Sequence, residues 1–373
     1  MPGDKPRVTS QDVARAAGVS QQTVSLVMRD HPRISAKTKA RVLAASAALG
    51  YQPNAAAASL RSARSQTLGF LLYRGEEAAS EAFAATDVFR NQLINAAIGR
   101  ARAAGYYVLF DTFASAAHCL ALLESGRIDG ALVEMMVDDE VLAQLLDSTA
   151  PVVLVGRDTQ LPISWVKADE EGGAYKLGRH LLAQGHRQIA VVGVDDEHDS
   201  AIAQERIGGF GRAFAEAGLE LTPERVVHGD WSFESGYEWG QHLLVQPRPP
   251  TAIFALAEQL AVGVVEAAHH LGVRVPDDLA VVTTEDNPWV EHVLPTLTAV
   301  HVPMFDVGMR ATEMLLDRLA DPGLQPEQVV VPTTIKVRDS SKVTGGRSLA
   351  HSLLSEPMNP GPPRRLTRTP VSW

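Results

Sequence analysis

The chain has one cysteine, Cys119, in 373 residues, so it can form neither an internal disulfide nor a zinc site built on cysteines. Aromatic residues make up 6%, and no apolar run approaches the ~20 residues that cross a bilayer, which excludes a membrane-spanning protein. Residues 1–11 carry Lys5 and Arg7 with no apolar stretch behind them; no secretory signal is read, and a cytoplasmic protein is expected. There is no Gly-x-Gly-x-x-Gly after a strand candidate, no Walker loop and no Gly-x-Ser-x-Gly elbow, so dinucleotide, nucleoside-triphosphate and serine-hydrolase chemistry lack their residues. His186, His198, His269 and His270 lack the spacing of a metal site and are read as surface or packing residues. Accordingly no catalytic residue, no metal and no cofactor is expected, and the chain is not read as an enzyme.

Glutamate is missing from one region in particular. Residues 1–65 hold ten Lys or Arg, three Asp and no Glu, a charge of +7, whereas the whole chain carries -10 and the remainder therefore -17. A cationic head on an anionic body suggests that the head alone meets a polyanion. The plainer alternative is a solvated basic face.

The first fifty residues read as three short helices. Thr9 with Asp12 is a capping-box-like start and Gly18 the stop; Ser20 caps a second helix through Met28, and a third opens at Ser35 and ends at Gly50. The inward residues are expected to be Val13, Ala14 and Ala17, then Val24, Val27 and Met28, then Val42, Leu43 and Leu49. Small Ala14, turn-forming Gly18 and apolar Val24 stand where a helix-turn-helix needs them. Ser20, Gln21, Gln22 and Ser25 then face outward at the start of the second helix, where short and amide side chains reach base edges in a major groove. Arg33, Lys37, Lys39 and Arg41 would serve as phosphate contacts. A three-helix structural module is the alternative. Residues 51–65 contain a Pro53-Asn54 break and a short alanine-rich helix over 55–60, too short to persist alone, since isolated helices below ~12 residues are marginal.

From Gln66 onward short apolar runs at 68–72, 107–110, 130–133, 152–155, 189–192, 252–255 and 279–282 alternate with helical stretches at 91–104, 174–183, 206–217 and 261–271. This β-then-α order predicts parallel sheets with helices on both faces, and seven or more strands suggest two sheets. Residues 341–373, with five prolines, read as a disordered tail.

The run from Val8 to Ser20, Thr23-Val24-Ser25, Arg41-Val42-Leu43, Leu49-Gly-Tyr-Gln-Pro-Asn54, and Ala57, Leu60 and Arg61 resemble the LacI/GalR family of bacterial repressors. The likeness extends through about 340 residues. Gly130 to Arg157, Gly185-His-Arg-Gln-Ile-Ala190, Pro276-Asp-Asp-Leu-Ala-Val-Val282 and Pro295-Thr-Leu-Thr-Ala-Val300 resemble signatures of the family's body. The resemblance implies a small all-α helix-turn-helix head (1–50), a hinge helix (51–65) and an α/β two-lobed periplasmic-binding-protein-like body (66–340). Lobe one takes about 66–165 and 294–324, lobe two about 166–293 and 325–340, with crossings near 165, 294 and 325 and a ligand between the lobes.

It further implies a repressor that binds a palindromic operator in double-stranded DNA as a homodimer or tetramer, controlled by a small-molecule effector, a sugar or sugar derivative first. The DNA-binding candidates are Thr9, Ser20, Gln21, Gln22, Ser25 and Leu26 in the head. In the hinge they are Asn54, which starts the helix, Ala57 on its close-packed face, and Leu60, the apolar wedge of a kind that unstacks a base step. A flexible linker is the alternative for the hinge. Leu26 departs from the arginine that many members carry in Val-Ser-Arg-Val.

Carried onto the body, Arg206 faces a sugar's hydroxyls, Trp231 stacks on its ring, Glu285 replaces a ligand-binding Asp, and Asp169 ranks last. A surface arginine and a packed indole are the alternatives for the first two. The family's Asn-Asp reads Ala257-Glu258 here. Arg206→Ala is expected to abolish the effector response and leave ligand-free operator binding intact. The competing reading is a carbohydrate-binding or carbohydrate-processing α/β protein whose head is an oligomerisation module.

Overall fold

The structure, a computed structural model, describes residues 8–28, 33–51, 64–73, 88–134, 139–146, 148–194 and 201–342. The hinge candidates Asn54, Ala57 and Leu60, together with His198, lie outside them.

The head contains α1 (Ser10–Ala17), α2 (Gln21–Met28) and α3 (Ala36–Leu49). At the start of α1 the Thr9 N–H and hydroxyl both donate to Asp12 Oδ2, at 2.9 and 2.7 Å, and the Asp12 N–H reaches back to the Thr9 hydroxyl. These bonds hold the Asp12 carboxyl below its ordinary range. Gly18 ends α1 in the left-handed conformation at φ 58°, which a residue with a Cβ avoids, so the turn into α2 depends on glycine. Ser35 caps α3 and Gly50 closes it. Val13, Ala14, Ala17, Val24, Val27 and Val42 form the head's core, with Met28 packed against it. Two expected core residues are corrected: Leu43 is 52% exposed and Leu49 38%, and Ser46 is buried instead. The inner face of α3 follows the i, i+4 pair Val42 and Ser46, which puts Leu43 about 100° around the helix.

In chain order the body begins β1 (Thr67–Tyr73), α4 (Val88–Ala103), β2 (Tyr107–Phe113), α5 (Ala116–Glu124), β3 (Gly130–Glu134), α6 (Asp139–Leu145), β4 (Val152–Val155) and β5 (Ser164–Ala168). It continues with α7 (Glu170–Ala183), β6 (Ile189–Val194), α8 (Ala201–Glu216), β7 (Val226–Gly229), α9 (Phe233–Leu244), β8 (Ala252–Ala255), α10 (Glu258–His270) and β9 (Ala280–Thr283). The last elements are β10 (Thr298–His301), α11 (Met304–Ala320), β11 (Gln328–Val331) and β12 (Thr334–Lys336). The chain divides after Asp169, Val302 and Pro332 into two units.

The first unit has a parallel sheet in the order β2-β1-β3-β4-β5-β11. α5 and α6 cover one hydrophobic cluster around Leu71, Val133 and Leu154, which includes Cys119. Burial pushes the Cys119 thiol up to about 12, leaving it a small apolar side chain. The second unit has the order β7-β6-β8-β9-β10-β12, parallel except for the antiparallel pair β10 and β12. There α7 packs with α8 and α9 with α10.

The divisions differ from the expected crossings near 165, 294 and 325, because β5, β10 and β11 each complete their pairing before the chain passes on. As a result β10 belongs to the second unit's sheet and β11 to the first, the reverse of the expectation. Of the tail expected over 341–373, residues 343–373 lie outside the described residues, and Ser341 is held by the second unit. The Ser341 hydroxyl bonds Thr298 Oγ1 at 2.7 Å and His180 Nε2 at 2.8 Å, and both Ser340 and Ser341 are buried in the second unit.

Candidate functional site

In the head, α1 and α2 are locked by their apolar faces, which leaves the start of α2 outward. Gln21 and Gln22 are exposed, Ser20 is exposed and accepts from the Thr23 N–H at 3.1 Å, and Ser25 and Leu26 are half-buried. Thr9 is exposed at the start of α1 but spends its hydroxyl on Asp12. The Gln21 amide donates to Ser10 Oγ at 2.7 Å, tying the two helices at their outer edge.

In the second unit, strand order reverses between β6 and β8, and the crevice outside the carboxyl ends at such a reversal is where open α/β sheets take ligands. Charged side chains converge there. Arg206, on α8 and 3% exposed, donates through Nε to Glu170 Oε2 at 2.8 Å and through Nη1 to Leu256 O at 2.7 Å and Glu285 Oε1 at 2.9 Å. Glu170 and Glu258, 6% and 8% exposed, open α7 and α10. Burial works against the charge on Arg206, but the Glu170 carboxylate and the hydrogen bonds to Glu170 and Glu285 overcome it and hold the guanidinium charged. For Glu285 burial wins: it lifts the carboxyl well above its ordinary 4.5, Arg206 opposes the rise, and the neighbouring Glu258 carboxyl adds to it.

Glu285 follows β9 with φ 74°, a conformation that costs a residue bearing a side chain of order 1–3 kcal/mol. The residues on either side impose it. The Thr284 hydroxyl donates to Leu256 O. The Asp286 N–H donates to Val300 O at 3.0 Å, and the buried Asp286 carboxylate is clamped by Arg338, Lys336 and His301. With both neighbours fixed, Glu285 is turned toward Arg206.

A protonated Glu285 makes the folded state bind a proton that the unfolded chain has released, so stability falls as pH rises above about 4.5. Glu285→Gln removes that loss. The variant should melt like wild type near pH 4.5 and a few degrees higher at pH 8, since about 1 kcal/mol moves the midpoint of a unit this size by roughly 2–4 °C. Melting curves that stay parallel from pH 4.5 to 8 would show that Glu285 is ionised throughout.

Of the body residues expected from sequence, the structure brings Arg206 and Glu285 together. Trp231 lies half-buried beyond the edge strand β7. Asp169 belongs to the first unit, at the end of β5, where its N–H donates to Val331 O at 2.9 Å. Glu170 was not read as a site residue, and Glu258 only within Ala257-Glu258, as a departure from the family's Asn-Asp pair. For Glu258 the available signal was an acidic first turn after the strand candidate at 252–255, whereas the strand before Glu170, β5, was not among the candidates. The first unit has its own buried pair at a carboxyl end, Arg90 Nε to Glu134 Oε1 at 2.9 Å, also unread.

Residues 9–54 match the family described as bacterial regulatory proteins, lacI family, and residues 179–341 match the periplasmic binding protein-like domain. The chain is 30% identical over 341 residues to catabolite control protein A of Priestia megaterium, across 90% of this chain and 99% of that protein. The chain belongs to the LacI family of bacterial regulatory proteins. Another LacI-family relative, the HTH-type transcriptional repressor PurR of Erwinia tasmaniensis, is 31% identical over 345 residues, across 88% of this chain and 96% of that one. Two solved structures are similar at 27% identity, each across 90% of this chain and all of that chain. They are the Lac repressor dimer bound to operator and the anti-inducer ONPF, with a TM-score of 0.76, and a complex of the transcriptional regulator CelR with cellobiose, with a TM-score of 0.66. This LacI-family chain is a transcriptional regulator with a helix-turn-helix head and a periplasmic-binding-protein-like body. No helix among the described residues is long and apolar enough to cross a membrane.

Proposed function

We propose that the protein is a cytoplasmic repressor that binds a two-fold symmetric operator as a homodimer and changes its hold on DNA when a small molecule, a sugar or sugar derivative, occupies the second unit beside Arg206 and Glu285. The observation that carries this reading is the buried ionic cluster at the strand-order reversal of a body joined to a helix-turn-helix head. A purely structural body has no use for desolvated charges at that place, because replacing them with apolar residues is often neutral or stabilising. The head meets base edges through Gln21, Gln22 and Ser25, with Asn54, Ala57 and Leu60 as the hinge contacts and Thr9 and Ser20 near phosphates. Trp231 is a further contact of the small molecule. The reading assigns no chemical step to the chain. CelR, solved with cellobiose, and the Lac repressor, solved on operator, support it as similar proteins.

Mobility-shift titration on genomic fragments, followed by footprinting, tests the DNA half. The expected result is a two-fold symmetric footprint and an affinity that falls steeply with salt, each neutralised phosphate adding about 0.9 to the log-log slope. A flat salt response would point to the oligomerisation-module alternative.

Leu26 sharpens the same reading. Val24 and Val27 hold α2 inward, leaving Leu26 half-buried beside the exposed start of the helix. Toward a base it offers apolar contact, such as with a thymine methyl, whereas an arginine pairs bidentately with guanine. Leu26→Arg should fold normally and shift preference toward G at one base pair of each half-site by about 1–3 kcal/mol. Selection on a randomised operator that returns the same sites for variant and wild type would place position 26 away from the bases.

A further inference from the structure

The cluster in the second unit is unbalanced. One guanidinium, Arg206, stands among three carboxyl groups, Glu170, Glu258 and Glu285, and Arg206 already spends Nε on Glu170 and Nη1 on Glu285 and a backbone carbonyl. Glu258 is the residue left over. It is 8% exposed, and its Oε2 atom is buried and receives no hydrogen bond from an N–H or hydroxyl of the described residues. A buried carboxylate oxygen without a donor carries the full cost of its lost hydration. The neighbour it meets is the Glu285 carboxyl, whose proton is retained by burial and by Glu258 itself. The site therefore holds an excess of negative charge at one point, where Glu258 and Glu285 have a single proton between them.

We propose that the effector bears a protonated amine, held between the Glu258 carboxylate and the Glu285 carboxyl, on a sugar or other polyol scaffold. This rests on the reading of the cluster as the effector site. A neutral hydroxyl would satisfy Glu258 Oε2 as a donor but would leave the charge uncompensated in a desolvated place. An ammonium satisfies both, and charge-assisted hydrogen bonds are about twice as strong as neutral ones. A divalent metal ion fits less well: hard ions take six or more oxygen ligands, and here a guanidinium lies 2.9 Å from one of the carboxylate oxygens. The amine enters with the Glu285 proton in place, so that Arg206 and the ammonium balance the Glu170 and Glu258 carboxylates. The groups that face the ammonium are Arg206 on α8, Glu170 on α7 and Glu258 on α10, with the Asp286, Lys336, Arg338 and His301 cluster behind.

The test is calorimetric titration of the full chain at pH 7.5 with matched pairs: glucosamine and glucose, galactosamine and galactose, mannosamine and mannose, with Mg²⁺ and Ca²⁺ as further arms. At least one amine should bind tenfold or more tighter than its neutral parent. Glu258→Gln should erase the advantage of the amine. Neutral parents that bind as well as every amine, three amines that fail to bind, or tight binding of either metal ion would each overturn the inference. A neutral sugar whose binding is lost in Glu285→Gln would do so while upholding the site. A ligand whose affinity neither Glu258→Gln nor Glu285→Gln changes would overturn the reading of the site itself.

Discussion

Arg206→Ala should destabilise the second unit by about 3–5 kcal/mol and abolish the effector response, both from one change. Judged as a residue facing a ligand, Arg206 should be removable without disturbing ligand-free operator binding. Its burial says otherwise: the residue is 3% exposed and closes an ion pair of 2.8 Å to Glu170 and a hydrogen bond of 2.9 Å to Glu285. Without it those carboxyls face Glu258 with no counter-charge, and Leu256 O loses one of its donors. A domain's whole stability is of order 5–15 kcal/mol, so part of the variant population should be unfolded or aggregated. Urea unfolding of the variant, followed by operator titration of the folded fraction, separates the two effects. The triple variant Arg206→Met, Glu170→Gln, Glu285→Gln should recover most of the lost stability, because no buried charge of that set remains, and still show no response. A single variant that unfolds within 1 kcal/mol of wild type would mean that solvent reaches Arg206.

What could be read from the sequence follows from which residues are buried on both faces. β1, β3, β4, β6, β8 and β9 are nearly unbroken apolar runs, as central parallel strands must be, and each stands out between polar neighbours. β5, β7, β10, β11 and β12 were not read. They contain Lys167, His228, Thr298, Gln328 and Lys336, and β7 and β12 are edge strands that need no continuous apolar face.

Helix starts fail for a related reason. Apolar periodicity begins α7, α8 and α10 near 174, 206 and 261, whereas they start at Glu170, Ala201 and Glu258. The first turns of α7 and α10 carry charge, and Glu170 and Glu258 there are buried against Arg206 and Glu285, while the first turn of α8 is uncharged. The rule that sets polar residues outside a helix's buried face therefore hides the residues that build the site. Resemblance located Arg206 and Glu285 singly, while their joining through Glu170 depends on how closely α7 and α8 pack, which periodicity does not encode.

That packing distance is set by Gly209, three residues beyond Arg206 on α8. A Cβ there would lie 2.0 Å from the carbonyl oxygen of Glu171 and 2.8 Å from its carbon, so the obstacle is the backbone of α7 and not a movable side chain. Ordinary contact begins near 3.4 Å. Gly209→Ala must therefore push the helices apart by more than an ångström. That would open the packing of Phe210 on Phe254, whose rings are 4.5 Å apart, and would stretch the Arg206 to Glu170 bond. Overpacking costs typically 1–3 kcal/mol where side chains can yield; against backbone the upper end or beyond is expected, with the effector response lost as well.

The adjacent Gly208 supplies the control. No atom lies within 4 Å of a Cβ built there, so Gly208→Ala should stabilise α8 by about 0.5–1 kcal/mol through helix propensity alone. Denaturant unfolding of the two variants should thus move in opposite directions from wild type. Equal shifts would show that α7 and α8 are not in backbone contact at Gly209, and that Arg206 and Glu170 are held together by their charges alone.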